Sequence, residues 1–247
     1  MRKITILIAL FISTLFGCQN SDLELAPTEK LQSNEQLSLF RETFDFTYKG
    51  QTYSSLFHME NDTLMILEDE NVAAIYEKIQ ELPELAIHVT QEGVISYYDN
   101  YDELQQNNPV KNIEDNGIMP FDYADAADLV VYKDFNYNNR TDGNRHAFFL
   151  RNPLSVPDLN PYGMDDMISS FELLGSSHSL SHTCRVTFFR SKNYKSQSLS
   201  FDYKEGTYDS MWQYYYYLRV PTLKSYKVKR GKTWNDRISS FKFFILN

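Results

Sequence analysis

Cysteine is scarce in this 247-residue chain, which has only two, Cys18 and Cys184. A disulfide framework is therefore not what holds it, since the N-terminal context of Cys18 assigns that sulfur elsewhere. No apolar run after residue 16 is long enough to cross a bilayer as a helix. A nucleophile elbow, a metalloprotease helix, a phosphate loop and a carboxylate pair at defined spacing are all missing. The chain reads as non-enzymatic. The formal net charge of −9 offers no general attraction to nucleic acid, and no such partner is expected.

What is present begins at the N-terminus. Arg2-Lys3 precedes an apolar run from Ile4 to Phe16, then Gly17-Cys18, the layout of a secretory signal. Leu15-Phe16-Gly17-Cys18 resembles the bacterial lipobox. That resemblance implies a signal peptide over 1–17, cleavage before Cys18, lipidation of its sulfur, and a membrane partner reached through the anchor. The implied location is the bacterial cell envelope, at the outer membrane. Residues 18–41 are polar and read as a lipidated flexible tether.

Charge divides the rest. Residues 19–127 hold 22 acidic against 5 basic residues, and residues 128–247 hold 11 against 17. Such asymmetry marks a domain boundary and gives the halves a reason to associate. A small α+β domain is expected over 42–108. Phe44 to Tyr48 alternates as a strand, Lys49-Gly50-Gln51 turns, and Thr52 to Phe57 returns. A third strand runs over 63–67. Asp69 caps a helix over 70–82, and Pro83 ends it. A second hairpin, 85–90 with 94–98, precedes a short helix near 101–106. His58 and His88 read as partly buried structural residues. Breakers over 109–127 make a linker.

From 128 the pattern is all-β and repeats. Val131-Tyr132-Lys133-Asp134-Phe135-Asn136-Tyr137 aligns with Phe188-Phe189-Arg190-Ser191-Lys192-Asn193-Tyr194. Asp165-Asp166-Met167-Ile168-Ser169-Ser170 aligns with Asn235-Asp236-Arg237-Ile238-Ser239-Ser240. Two strand-rich copies, each covering the other's apolar face, predict a two-motif sandwich. Oxygen-rich hexapeptides without cysteine thiolate or imidazole suit a hard cation and disfavour zinc. The alternative is loop closure by Asx and Ser hydrogen bonds alone.

The combination resembles the βγ-crystallin superfamily, in its microbial calcium-binding Greek-key form. The likeness rests on the hexapeptide Asn/Asp-Asn/Asp-x-x-Ser/Thr-Ser, present twice in phase with two aromatic hairpins, and covers residues 128–247. It implies a mainly β chain, with a Greek-key βγ-crystallin-like sandwich after the small α+β domain, and up to two Ca²⁺ ions. The resemblance assigns side-chain oxygens to Asp166 and Asp236, carbonyls to Met167 and Arg237, and hydroxyls to Ser169 and Ser239. It implies that the two motifs exchange ligands, so that each ion staples both Greek keys, and it adds carbonyls from Lys133 and Arg190 across the pair. Asp165, Asn235, Ser170 and Ser240 shape the loops. The family's hairpin glycine is replaced by Asn139 and Ser196, which modifies the two hairpins.

Lesser signals remain. His178, His182 and Cys184 are spaced as a weak zinc string in a polar loop. Trp212 to Tyr217 reads as a strand with tyrosines on both faces, or as a glycan- or protein-facing patch. Lys224, Lys227, Lys229, Arg230 and Lys232 make a solvated edge or a partner surface. The expected role is structural or binding. The alternative is protease inhibition of the bacterial βγ-crystallin-like type, with the longer 195–234 segment as the inserting loop.

Overall fold

The structure, a computed structural model, describes residues 42–60, 64–110, 127–138, 141, 143–150, 154–175, 179–210, 214–229 and 232–246. The expected signal segment, Cys18 and the tether lie outside the described residues, as do His178, Trp212 and all but the ends of the linker. Among the described residues no helix is long and apolar enough to cross a membrane.

The first segment follows its local signals. Strands β1 (Thr43–Tyr48) and β2 (Gln51–Glu60) pair antiparallel. Lys49 and Gly50 between them are both left-handed, at φ 50° and 75°, as a tight hairpin turn requires. After β3 (Leu64–Leu67) comes helix α1 (Glu70–Gln80). Asp69 caps it by accepting from the Asn71 and Val72 amides at 2.9 and 3.0 Å. Its Val72 and Ile79 are buried. Strands β4 (Ala86–Val89) and β5 (Ile95–Tyr98) form the second hairpin, and α2 (Tyr101–Asn107) follows, capped by Asn100.

The second segment is two copies of one four-strand plan. The first copy has β6 (Ala127–Tyr132), β7 (Arg145–Leu150), β8 (Leu154–Val156) and β9 (Ser170–Gly175). The second has β10 (Ser179–Ser191), β11 (Lys195–Glu205), then β12 (Thr207–Asp209) with β13 (Tyr214–Val220). Short strands β14 (Lys227–Lys229) and β15 (Lys232–Thr233) precede its last strand, β16 (Ser240–Ile245).

The copies exchange their third strands. One sheet runs β12-β13-β9-β6-β7, so the second copy's β13 sits beside the first copy's β9. The other contains β11-β10-β16-β8, so the first copy's β8 sits beside the second copy's β16. Each sheet is completed by the opposite copy, and neither half can form alone without exposing an edge. Phe171, Phe188, Phe201 and Phe241 fill the space between the sheets, all at most 1% exposed. The chain is mainly β.

The two segments expected as separate domains share one sheet. Strand β4 pairs in parallel with β11, and the order is β3-β2-β1-β5-β4-β11-β10-β16-β8. Buried residues of both, such as Phe46, Ile87 and Phe201, belong to one continuous core. The seam carries a buried polar cluster. Arg185, 2% exposed, forks onto Asp202, and His88 Nε2 lies 2.9 Å from the same carboxylate. Arg185 Nη1 also donates to the Asn108 carbonyl at 2.9 Å. His88 is thus structural, while His58 is exposed beside Glu68.

The described residues of the 195–234 segment lie largely in strands β11–β15 rather than in a loop, and Leu199, Phe201, Tyr203, Tyr217, Val220 and Val228 among them belong to the core. Within β13, Tyr217 is buried and stacks on Tyr203. Gly175 has no side chain because the Tyr217 ring occupies the space a Cβ would need.

Candidate metal centre

Each hexapeptide lies between a turn and the last strand of its copy. Its second residue takes the left-handed backbone, Asp166 at φ 52° and Asp236 at φ 53°. Asp tolerates that region better than most residues. The two loops then grip each other. The Asp166 amide donates to the Ile238 carbonyl and the Asp236 amide to the Ile168 carbonyl, both at 3.0 Å.

The side chains cross in the same way. Ser169 Oγ donates to Asp236 Oδ1 at 2.8 Å, and Ser239 Oγ donates to Asp166 Oδ1 at 3.3 Å. Two hydroxyl–carboxylate pairs therefore form, each built from both copies. The serines are buried and the aspartates exposed, so each pair opens to solvent through its carboxylate.

The last serine of each loop does a different job. Ser170 Oγ donates to the Asp134 carbonyl at 2.6 Å and accepts from the Tyr137 amide at 3.3 Å. Ser240 Oγ donates to the Ser191 carbonyl at 2.7 Å and accepts from the Tyr194 amide at 3.2 Å. Both serines are fully buried. They clamp the aromatic hairpins, whose Asn136-Tyr137 and Asn193-Tyr194 pairs are all left-handed. In the second hairpin Ser196 is left-handed as well, at φ 68°, where the resemblance expects glycine. Asn139 lies outside the described residues.

Lys133 follows Tyr132, whose carbonyl accepts from the Ser169 amide at 2.8 Å. Arg190 follows Phe189, whose carbonyl accepts from the Ser239 amide at 3.0 Å. Each hairpin residue thus stands beside the serine of its own copy. The Arg190 side chain turns to Gln197 at 3.2 Å. Met167 is 47% exposed on the turn. Among the described residues neither the Met167 nor the Arg237 carbonyl is engaged in a hydrogen bond.

A third repeat supports the site and was not singled out in the sequence. Val156-Pro157-Asp158-Leu159 matches Val220-Pro221-Thr222-Leu223. The Pro157 carbonyl accepts from the Asn193 amide at 2.9 Å, and the Pro221 carbonyl from the Asn136 amide at 2.8 Å. The Leu159 amide donates to the Ser239 carbonyl and the Leu223 amide to the Ser169 carbonyl, both at 2.9 Å. Each exchanged third strand thus ends by holding the other copy's hairpin and loop. A Val-Pro-x-Leu search would have found it.

The donor set fits a hard cation. Calcium ligands at about 2.3–2.6 Å bring neighbouring oxygens to about 2.8–3.4 Å of one another, the spacing of both crossed pairs. In each loop the first residue also has a buried oxygen without a hydrogen-bond partner, Asp165 Oδ1 and Asn235 Oδ1. Orphaned buried acceptors are uncommon, and a cation or ordered water satisfies them. The loops differ in one respect. Lys192 Nζ lies 3.5 Å from Asp165 Oδ2 and 3.0 Å from Asp158 Oδ1. Its hydrogen bond to Asp158 raises the Lys192 pKa. Among the described residues no three His, Cys, Asp or Glu side chains cluster, so each loop offers one carboxylate with hydroxyl and carbonyl oxygens instead. The described part of the His178-His182-Cys184 string is a strand, β10, with Cys184 buried.

No family model matches the chain, and no curated protein matches it. A solved structure, a beta gamma crystallin from Ciona intestinalis, is similar at 20% sequence identity. The match covers 46% of this chain and 95% of that one, with a TM-score of 0.25. The fold rests on the chain's own topology. Its C-terminal segment is a pair of interlocked Greek keys. The exchanged third strands, the serine-clamped aromatic hairpins and the crossed loops all express that plan.

Proposed function

We propose that this chain is a non-enzymatic cell-envelope protein, anchored through a lipid on Cys18, whose Greek-key pair is held by up to two calcium ions. The observation that carries the calcium reading is the reciprocal crossing of Ser169 with Asp236 and of Ser239 with Asp166. Each pair takes one oxygen from either copy, so an ion bound there ties the copies together. Ser169 and Asp236 would hold one ion and Ser239 and Asp166 the other. The carbonyls of Met167, Arg237, Lys133 and Arg190 are the further ligand set. With so few carboxylates per site, affinity belongs in the weak range of extracellular modules, about 10⁻⁴–10⁻³ M. The role is structural or binding, at the surface of the bacterial outer membrane.

Calorimetric calcium titration of the wild type, Asp166→Ala, Asp236→Ala and the double variant tests this. Each single variant should lose one ion and the double variant both. Absence of calcium heat in the wild type, or equal heat in all four proteins, overturns the reading. The anchor is tested separately by the mass of the membrane-extracted protein, where Cys18→Ser should remove the acyl groups.

A further inference from the structure

The two crossed pairs differ in charge. Beside Asp166 and Ser239 the repeat places Asp165, Asp158, Lys192 and Arg190. The equivalent positions beside Asp236 and Ser169 hold Asn235, Thr222, Phe135 and Lys133. Met167, Asn160 and Ser191 of the first set stand opposite Arg237, Lys224 and Asp134 of the second. With the central aspartates included, the first set has three carboxylates against two cations, and the second has two against three. Hydrogen bonding follows the same division. Asp236 accepts from Ser169 Oγ at 2.8 Å and from Asn235 Nδ2 at 2.6 Å. Among the described residues Asp166 accepts only from Ser239 Oγ, at 3.3 Å. Asp165, in the place of Asn235, offers Asp166 no side-chain donor and lies 3.5 Å from Lys192 Nζ instead.

We propose that the two sites are unequal, that calcium binds more tightly at Asp166 and Ser239, and that Lys192 restrains that tighter site. The inference rests on the calcium reading above and gives it an order of binding. Asp158 and Asp165 act through their charge, not as ligands, and Lys192 neutralises part of it from 3.0 Å and 3.5 Å. An ion at Asp166 displaces one long hydrogen bond. An ion at Asp236 displaces two short ones and meets the charge of Arg237 and Lys224. A unit charge about 8 Å from a divalent ion changes its affinity about fivefold in water. The two-charge difference between the sets therefore separates the sites about tenfold or more at low ionic strength.

The test is calorimetric calcium titration of the full chain at low ionic strength. Two steps should appear, about tenfold or more apart, and added KCl should narrow the gap. Asp166→Ala should remove the tighter step and Asp236→Ala the weaker. Lys192→Met, at an exposed residue, should tighten the tighter step about fivefold and leave the other unchanged. Asp158→Thr, which copies Thr222, should weaken the tighter step by a similar factor. Its turn is kept, because Thr222 Oγ1 accepts from the Lys224 amide as Asp158 Oδ1 does from the Asn160 amide. Arg237→Met, which copies Met167, should tighten only the weaker step. Two equal steps, or loss of the tighter step in Asp236→Ala, would overturn the proposal and leave calcium binding in place. So would a Lys192→Met protein in which neither step moves or both move alike. Absence of calcium heat in the wild type overturns the proposal and the calcium reading together.

Discussion

Arg185 lies against Asp202 as a two-pronged pair, Nε 2.6 Å from Oδ1 and Nη2 2.8 Å from Oδ2. The pair joins neighbouring strands β10 and β11, and His88 reaches it from β4. It is the polar centre of the seam between the two segments. Asp202→Asn removes the charge that compensates a guanidinium only 2% exposed. The expected loss is about 3–5 kcal/mol, the cost of breaking a buried pair from one side, read by urea unfolding. A loss below about 1 kcal/mol would mean water already solvates Arg185.

The same carboxylate sets an acid limb. Burial pushes the Asp202 pKa up, but hydrogen bonds from Arg185 and His88 outweigh it and hold the value below that of a free aspartate. The folded pKa is depressed, so the contribution is full above the unfolded value of about 3.9 and is lost as pH falls through the folded one. Melting temperature should therefore fall below about pH 4, and Asp202→Asn should flatten that part of the profile. An unchanged slope in the variant would assign the limb to other carboxylates.

Ser196 holds a backbone that glycine adopts without cost. Ser196→Gly should stabilise the second hairpin by up to about 1 kcal/mol, the lower end of the left-handed penalty. The gain is partly offset by the greater freedom of glycine in the unfolded chain. The check is the denaturation midpoint, and a decrease would show that the Ser196 side chain, 2.9 Å from Gln197, matters more than its backbone.

Ser170→Ala and Ser240→Ala each take the hydroxyl partner from a carbonyl and an amide of their hairpin, all at least part-buried hydrogen bonds. Each should cost about 1–3 kcal/mol, and the two costs should be similar because the hydrogen bonds are equivalent. A thermal melt in which either variant equals the wild type contradicts the clamp.

Calcium should raise the melting temperature, and EDTA should reverse it. At free calcium of one to ten times the dissociation constant, linkage gives about 0.4–1.4 kcal/mol per site. Magnesium, which demands tighter octahedral geometry, should give a smaller shift. Equal shifts with both ions would point to general charge screening.

The sequence by itself determined the local elements and the duplication. Alternation in β1, the Asp69 cap and the paired hexapeptides act over a few residues, so composition and spacing record them. Asp166 and Asp236 were legible because loop chemistry and backbone conformation select the same residue type at both places. The resemblance implied an exchange between the loops, and the tertiary structure decided which oxygens meet. Ser169 reaches Asp236, not its own copy's Asp166, because β8 and β13 change places between the sheets. The β4–β11 pairing was equally silent, since backbone hydrogen bonds between parallel strands do not depend on side-chain identity. Arg185 and Asp202 already face each other across β10 and β11, and His88 joins them only when the β4–β11 pairing forms.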